Sequence, residues 1–479
     1  MSLGRRLLNN TVLLFGGDQL GNLLQFAFFL VLAGIFGEAR IGHYAEALAL
    51  VGLFALFADM GIVEYTIRHV ARRDDPSRAE IARALVLRGA GLIGSIGLAL
   101  LLSSLLFADP ASDVLILILL LGAYQLQASL ADVLLAELKG LQLMGRVATV
   151  GIVARVITVA GGLALLLSGA SFSTVFSVFP LAGFCYLALT VFFSVRRLGL
   201  PPLHLVRGRD LRPLLRALLP FGTAILFNDA VGRQDVIILS RLAGAIPTGE
   251  YWVALKIASV FVGVSGFFQH AIYPMLSELH LTDPEKLATV CRRAMRVLLM
   301  GAFPISAGLF AISERLVTLL YRDQFKGSVL CLKIMSWIVV VCLAHATFSA
   351  LLSAVGRQHQ KSVCLGINLA LGISLNLVLI PLLAQTGAAV ARVAVEVAPL
   401  LMYGWLANRV LPGWKPWSYA LRPALASAIM ILVVWWLAWT PLALTIVAGA
   451  VVYVAVLAAC GGIGREDRAA IRSLLPSLG

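Results

Sequence analysis

Charge is scarce in this chain. Only 13% of its 479 residues are Asp, Glu, Lys or Arg, against about 25% in soluble domains. Hydrophobic residues make up 60%, and the mean hydropathy is +0.94. Together these exclude a water-soluble globular protein. Cysteine is sparse too: Cys185, Cys291, Cys331, Cys342, Cys364 and Cys460 are scattered, without a CxxC or a metal-ligand spacing, and read as small apolar packing residues. The signatures G-x-S-x-G and H-E-x-x-H and the nucleotide-binding P-loop are missing, so the sequence indicates neither an enzyme nor direct ATP drive by this chain. A cleavable signal is not expected, because the first apolar run is long, studded with polar residues and lacks a small-x-small site.

What is there is a series of apolar runs of about 20 residues, the length of a helix crossing a hydrocarbon core about 30 Å thick. The ten-residue alternation of a membrane β-barrel does not occur. Fourteen spans are predicted, at 11–36, 42–64, 84–107, 113–136, 147–168, 172–194, 218–240, 249–274, 297–314, 329–353, 362–383, 387–408, 421–439 and 442–462. The fold class expected is therefore an all-α integral membrane protein.

The charges that do occur are unbalanced: 38 Lys and Arg against 24 Asp and Glu, a net +14. No basic domain interleaved with aromatics is present, so nucleic acid is excluded as a partner. With the N-terminus inside, the even-numbered loops and both ends hold nearly all the loop cations, among them Arg68 to Arg88, Arg196 to Arg216 and Lys286 to Arg296. Only Arg40, Arg241, Arg315, Arg322 and Lys326 fall outside. This is the positive-inside pattern, and it places both termini in the cytoplasm. Trp414, Trp417, Trp435, Trp436 and Trp439 suit interfacial anchors.

The chain also repeats itself. Aligning 34–54 with 241–261 sets Gly37 on Gly244, Gly42 on Gly249, Tyr44 on Tyr251 and Phe54 on Phe261. Asp75-Pro76 matches Asp283-Pro284, and Leu134-Leu135 with Gly140 and Gln142 matches Leu351-Leu352 with Gly356 and Gln358. The three matches keep one order. They predict two parallel six-helix repeats around a central cavity, 1–216 and 217–410, followed by 411–479 with two extra helices and a short tail. Parallel repeats about an axis along the membrane normal are a transporter pattern.

Ionisable residues at membrane depth are costly and usually face a bundle interior or a wet cavity. The bases that topology does not explain are Arg155, Arg233, Lys256, Lys333 and Arg392, candidates for holding an anionic cargo. Asp229 and Arg233, like Arg392 and Glu396, stand at i,i+4, so each pair either neutralises itself or contacts substrate. Lys256 and Arg155 have no acid at such a spacing and are the sharper candidates, whereas Lys333 is near a span end and can snorkel outward. Asp18, Asn22 and Gln25 form one stripe on the first span, either helix-packing glue or cavity lining. Asp18, Asp229 and Asp235 are candidate sites for coupling to H+ or Na+. His270 and His345 read as polar packing residues, and no cofactor or metal site is indicated.

Residues 36–73 (FGEARIGHYAEALALVGLFALFADMGIVEYTIRHVARR), 234–257 and 303–337 resemble Wzx-type oligosaccharide flippases of the multidrug/oligosaccharidyl-lipid/polysaccharide (MOP) exporter superfamily. The resemblance covers the first twelve spans. It implies two six-helix bundles opening alternately to either side of the bacterial inner membrane. The cargo it implies is an oligosaccharide repeat unit on polyprenyl pyrophosphate, for O-antigen, capsule or exopolysaccharide. Expected partners are that lipid-linked oligosaccharide, membrane lipids, and polysaccharide polymerase or chain-length machinery. The related peptidoglycan-precursor flippases carry a cationic residue near the position of Lys256. The position matching Lys256 in the first repeat is Ala49, which argues against a symmetric clamp. A multidrug or small-cation antiporter of the same superfamily, or a membrane polysaccharide polymerase, are the alternatives.

Overall fold

A computed structural model describes residues 3–72, 78–106, 112–414 and 416–462; Asp75-Pro76 and the tail arginines lie outside the described residues. The described chain is almost wholly helical, with no strand among its residues. Backbone polar groups have no water to bond within a bilayer, and a helix satisfies them internally. The chain divides into two compact units, Met1–Trp252 and Val253–Gly479.

The first unit begins with α1 (Leu3–Asp59), followed by α2 (Ile62–Arg72), α3 (Ala79–Leu106), α4 (Ser112–Gly140), α5 (Met144–Leu167), α6 (Phe172–Phe176) and α7 (Val178–Leu198). After these come α8 (Gly208–Val231), α9 (Gln234–Ala243) and the start of α10 (Ala245–Thr282). As a straight rod, the 57 residues of α1 would reach about 85 Å, nearly three times the hydrocarbon thickness. The chain breaks instead at Gly37, with φ 75° and ψ 177°, a region open essentially to glycine alone.

Gly244, its partner in the sequence repeat, ends α9 with φ 85° and ψ −173°. The two copies thus bend at the same place in nearly the same conformation. Beyond the bends their helices cross at glycines. A Cβ on Gly42 would overlap the backbone carbonyl of Ala245, and one on Gly249 would overlap that of Glu38. Under the repeat alignment Glu38 is the counterpart of Ala245, as Gly42 is of Gly249. Under that alignment the contact is therefore reciprocal. Lipid tails are as apolar as leucine, so helices in a membrane associate through close packing at small residues.

The second unit holds the rest of α10, then α11 (Pro284–Tyr321), α12 (Lys326–Met335), α13 (Ile338–Ala354), α14 (Gln358–Asn408), α15 (Leu421–Trp436) and α16 (Leu442–Ala459). Asp283 caps α11 by accepting from Lys286 N–H at 3.0 Å, and this backbone hydrogen bond holds its carboxyl below the usual range. The 51-residue α14 turns at Ala384, with φ 48° and ψ −127°, and Gly387 then lies against the backbone of Leu379. The two C-terminal helices dock on α11. Ala307 and Ile312 pack with Met430, Val434, Tyr453 and Leu457, and Tyr453 donates to the Met300 carbonyl at 2.6 Å.

Eleven of the described helices are long and apolar enough to cross a membrane. Spans 1 and 2 correspond to the two arms of α1, on either side of the non-helical Gly37, and spans 11 and 12 to the two arms of α14, on either side of Ala384. Span 7 is broken between α8 and α9, where Gly232 and Arg233 leave the helical path. Outward faces are apolar, with Ile93, Leu101, Leu105, Leu319, Val451 and Val454 exposed, and Trp435, Trp436 and Trp439 are exposed around one turn.

Candidate functional site

In the first unit, two of the arginines singled out in the sequence are seated on glycines of α1. A Cβ on Gly21 would stand 2.6 Å from Nη1 of Arg155, and one on Gly52 would overlap the guanidinium of Arg233. Each glycine thus admits a guanidinium from another segment against the helix backbone: Arg155 from the middle of α5, and Arg233 from the break between α8 and α9.

Carboxylates and phenols surround them. Asp59 pairs with Arg88 at 3.0 Å and lies within electrostatic range of Glu64, Asp132 and Asp229. Asp132 accepts from the Tyr186 hydroxyl at 2.9 Å, and Arg155 acts on both Tyr186 and Tyr124. Asp229 is the acid that acts on Arg233, across the end of α8 at Val231. Asn228 donates to Asp229 at 3.2 Å. Arg88 is buried, and Arg155, Arg233, Asp59, Asp132 and Asp229 of this unit are half-buried. Guanidinium forks suit phosphate oxygens, and carboxylates and phenols suit hydroxyl-rich groups or cations.

Asp235 has a different setting. It is fully buried in the first turn of α9, accepts from Val236 N–H at 2.8 Å, and is hydrogen-bonded by the Tyr251 hydroxyl. It ties α9 to α10. On α1, Asn22 is exposed and Gln25 half-buried; the side chain of Asp18 lies outside the described ones.

In the second unit, Lys256 is half-buried on α10 and Lys333 half-buried in the last turn of α12. Arg392 and Glu396 do pair along α14, at 3.2 Å. Glu396 also meets α13, its Oε2 lying 3.4 Å from Cys342 Sγ and 3.5 Å from His345 Nε2.

Several further charges expected in loops or at span ends are held between helices. Arg78 forms a buried fork with Glu137, Nε to Oε1 at 2.7 Å and Nη2 to Oε2 at 2.6 Å, and also holds Ser194 and the Gly199 carbonyl. The ammonium of Lys361 is held by the hydroxyls of Ser349 and Ser353, each at 2.8 Å. These contacts join different helices, and no spacing along the chain announces them.

Membrane helices bent at glycines, with charges enclosed among them, define a membrane transporter. The solved structures agree on the fold. The lipid II flippase MurJ in an inward closed conformation superposes with a TM-score of 0.75 at 13% identity, over 94% of this chain and 98% of that one. An inward-facing multidrug-resistance MATE transporter of the MOP superfamily gives 0.67 at 14% identity, over 82% and 94%. A mutant of the Vibrio cholerae MATE transporter VcmN gives 0.58 at 12%, over 86% and 99%. Residues 7–280, more than half of the chain, match the family described as "Polysaccharide biosynthesis protein", and the chain belongs to that family. No curated protein matches it. Family and fold are those of transporters and flippases rather than enzymes.

Proposed function

We propose that this protein turns polyprenyl-pyrophosphate-linked oligosaccharide repeat units from the cytoplasmic to the outer leaflet of the bacterial inner membrane, with both of its ends in the cytoplasm. The observation that carries the reading is the pair of glycine-seated arginines, Arg155 and Arg233, enclosed in a chain of the polysaccharide biosynthesis family. A pyrophosphate needs such cations at membrane depth, and the nearby Asp132, Tyr124 and Tyr186 suit sugar hydroxyls.

The repeats 1–216 and 217–410 would flank the path and open alternately, with 411–479 as an accessory. Reciprocal packing at Gly42 and Gly249 supports that two-copy reading. Lys256, Lys333 and Arg392 are proposed further contacts for the cargo. Asn22 and Gln25, with Asp18, are proposed polar lining, and Asp229 is a proposed site for a coupling H+ or Na+. Polymerase or chain-length machinery would take the product on the outer face.

A second reading, a multidrug or cation antiporter, draws on the acids Asp59, Asp132 and Asp229. Export assays separate the two. Arg155→Ala and Lys256→Ala are expected to lower surface polysaccharide while the protein stays in the membrane at normal abundance. If both variants export normally, these cations do not touch the cargo. Altered drug susceptibility with unchanged polysaccharide would favour the antiporter.

A further inference from the structure

The second unit brings together three side chains from two helices. Cys342 and His345 stand at i,i+3 on α13 and so share one helix face. Glu396 projects from α14, across from them. Their ligand atoms lie within 4.8 Å of one another. Glu396 Oε2 is 3.4 Å from Cys342 Sγ and 3.5 Å from His345 Nε2.

Zinc holds sulfur at about 2.3 Å and nitrogen or oxygen at about 2.0–2.2 Å in a tetrahedron, which puts neighbouring ligand atoms roughly 3.3–3.6 Å apart. Both measured separations fall within that edge length. The hydrogen-bond inventory points the same way. Both ring nitrogens of His345 are buried; Nδ1 has no hydrogen-bond partner and Nε2 has only the long approach to Glu396, and a buried group in that state calls for an ion or water. Arg392 engages the other carboxylate oxygen, Oε1, at 3.2 Å. That contact orients Glu396 and leaves Oε2 facing the thiol and the imidazole, as outer-shell partners of metal ligands do. The His345 ring also packs edge-on against Tyr403, with centroids 6.2 Å apart.

We infer that Cys342, His345 and Glu396 form a binding site for a divalent cation of the zinc class. One thiolate, one imidazole and one carboxylate select Zn2+ and its borderline neighbours Co2+ and Cd2+ over the oxygen-seeking Mg2+, Ca2+ or Na+. On binding, the Cys342 thiol loses its proton to solvent as the sulfur–metal bond forms; nothing is oxidised or reduced. The fourth position is left for water or an outside ligand. The metal would staple α13 to α14 within one unit. The site does not depend on the cargo proposed above, so its test stands apart from any transport assay.

Cobalt is the probe. Titrating Co2+ into the purified full-length protein is expected to raise a thiolate-to-cobalt charge-transfer band that saturates at one ion per chain and is displaced by Zn2+. Cys342→Ser should abolish the band, while Cys331→Ser, at a buried cysteine outside the cluster, should leave it intact. His345→Gln and Glu396→Gln keep the thiol and serve should Cys342→Ser fail to fold; each should weaken binding at least about ten-fold. No band in the wild-type protein, a band surviving Cys342→Ser, or unchanged affinity in both glutamine variants would overturn the site.

Discussion

At the scale of single residues, the enclosed charges of the first unit sort by how they are held. Gly52 is small so that Arg233 can lie on the backbone of α1. A side chain there would move the guanidinium, which is the flexible end of a long residue, more readily than it would unfold the helix. Gly52→Val is therefore expected to reduce polysaccharide export about as much as Arg233→Ala, and the double variant to lose no more than either single one, since residues acting through one contact are not additive. Additive losses would show that Gly52 matters for another reason. The Arg78–Glu137 fork is a different case: both side chains are almost fully buried. Glu137→Gln leaves the guanidinium enclosed without its counter-charge, a change that costs about 3–5 kcal/mol in buried pairs. A clear fall in the melting temperature of the purified protein is expected; an unchanged one would show that water reaches the pair.

Residues separate what the sequence discloses from what it conceals. The Arg392–Glu396 pair is readable because both lie on one helix, four positions apart. Cys342 and His345 are invisible as its neighbours, because they come from another helix and their approach depends on how α13 and α14 pack. For the same reason Lys361 and Arg78 look like loop charges until the serines and the glutamate around them are seen.

At the scale of elements, glycine decides where helices bend and where they cross. The match of Gly37 with Gly244 and of Gly42 with Gly249 was legible because a backbone region reserved for glycine, and a backbone contact with no room for Cβ, leave a trace in one residue type. The break at Gly232–Arg233 was not: hydropathy averages over some 20 residues and passes across an interruption of two. The reciprocal crossing makes a symmetric prediction. Gly42→Ala and Gly249→Ala should each destabilise the protein, by similar amounts of about 1–3 kcal/mol, the usual cost of overpacking. Gly94→Ala and Gly97→Ala, with open space around the added carbon, serve as controls and should be neutral or slightly stabilising through helix propensity. Thermal unfolding in detergent reads all four. A large effect at only one of the crossing glycines would argue that the contact is not shared equally by the two copies.

At the scale of the molecule, the apolar exterior, the glycine bends and the family agree on a multi-pass membrane transporter, and the low identity to MurJ and the MATE proteins carries the fold alone. The cargo rests on chemistry: enclosed guanidinium groups beside phenols and carboxylates. The most direct measurement is the sidedness of the lipid-linked repeat unit. Purified protein is reconstituted into vesicles loaded on one leaflet with polyprenyl-pyrophosphate-linked oligosaccharide, and the fraction reachable by a membrane-impermeant glycosidase is followed over time. The account predicts that the protein makes the unit reachable from the far side and that Arg155→Ala slows this markedly. Vesicles in which the unit stays on its original leaflet, with and without an imposed H+ or Na+ gradient, would contradict it.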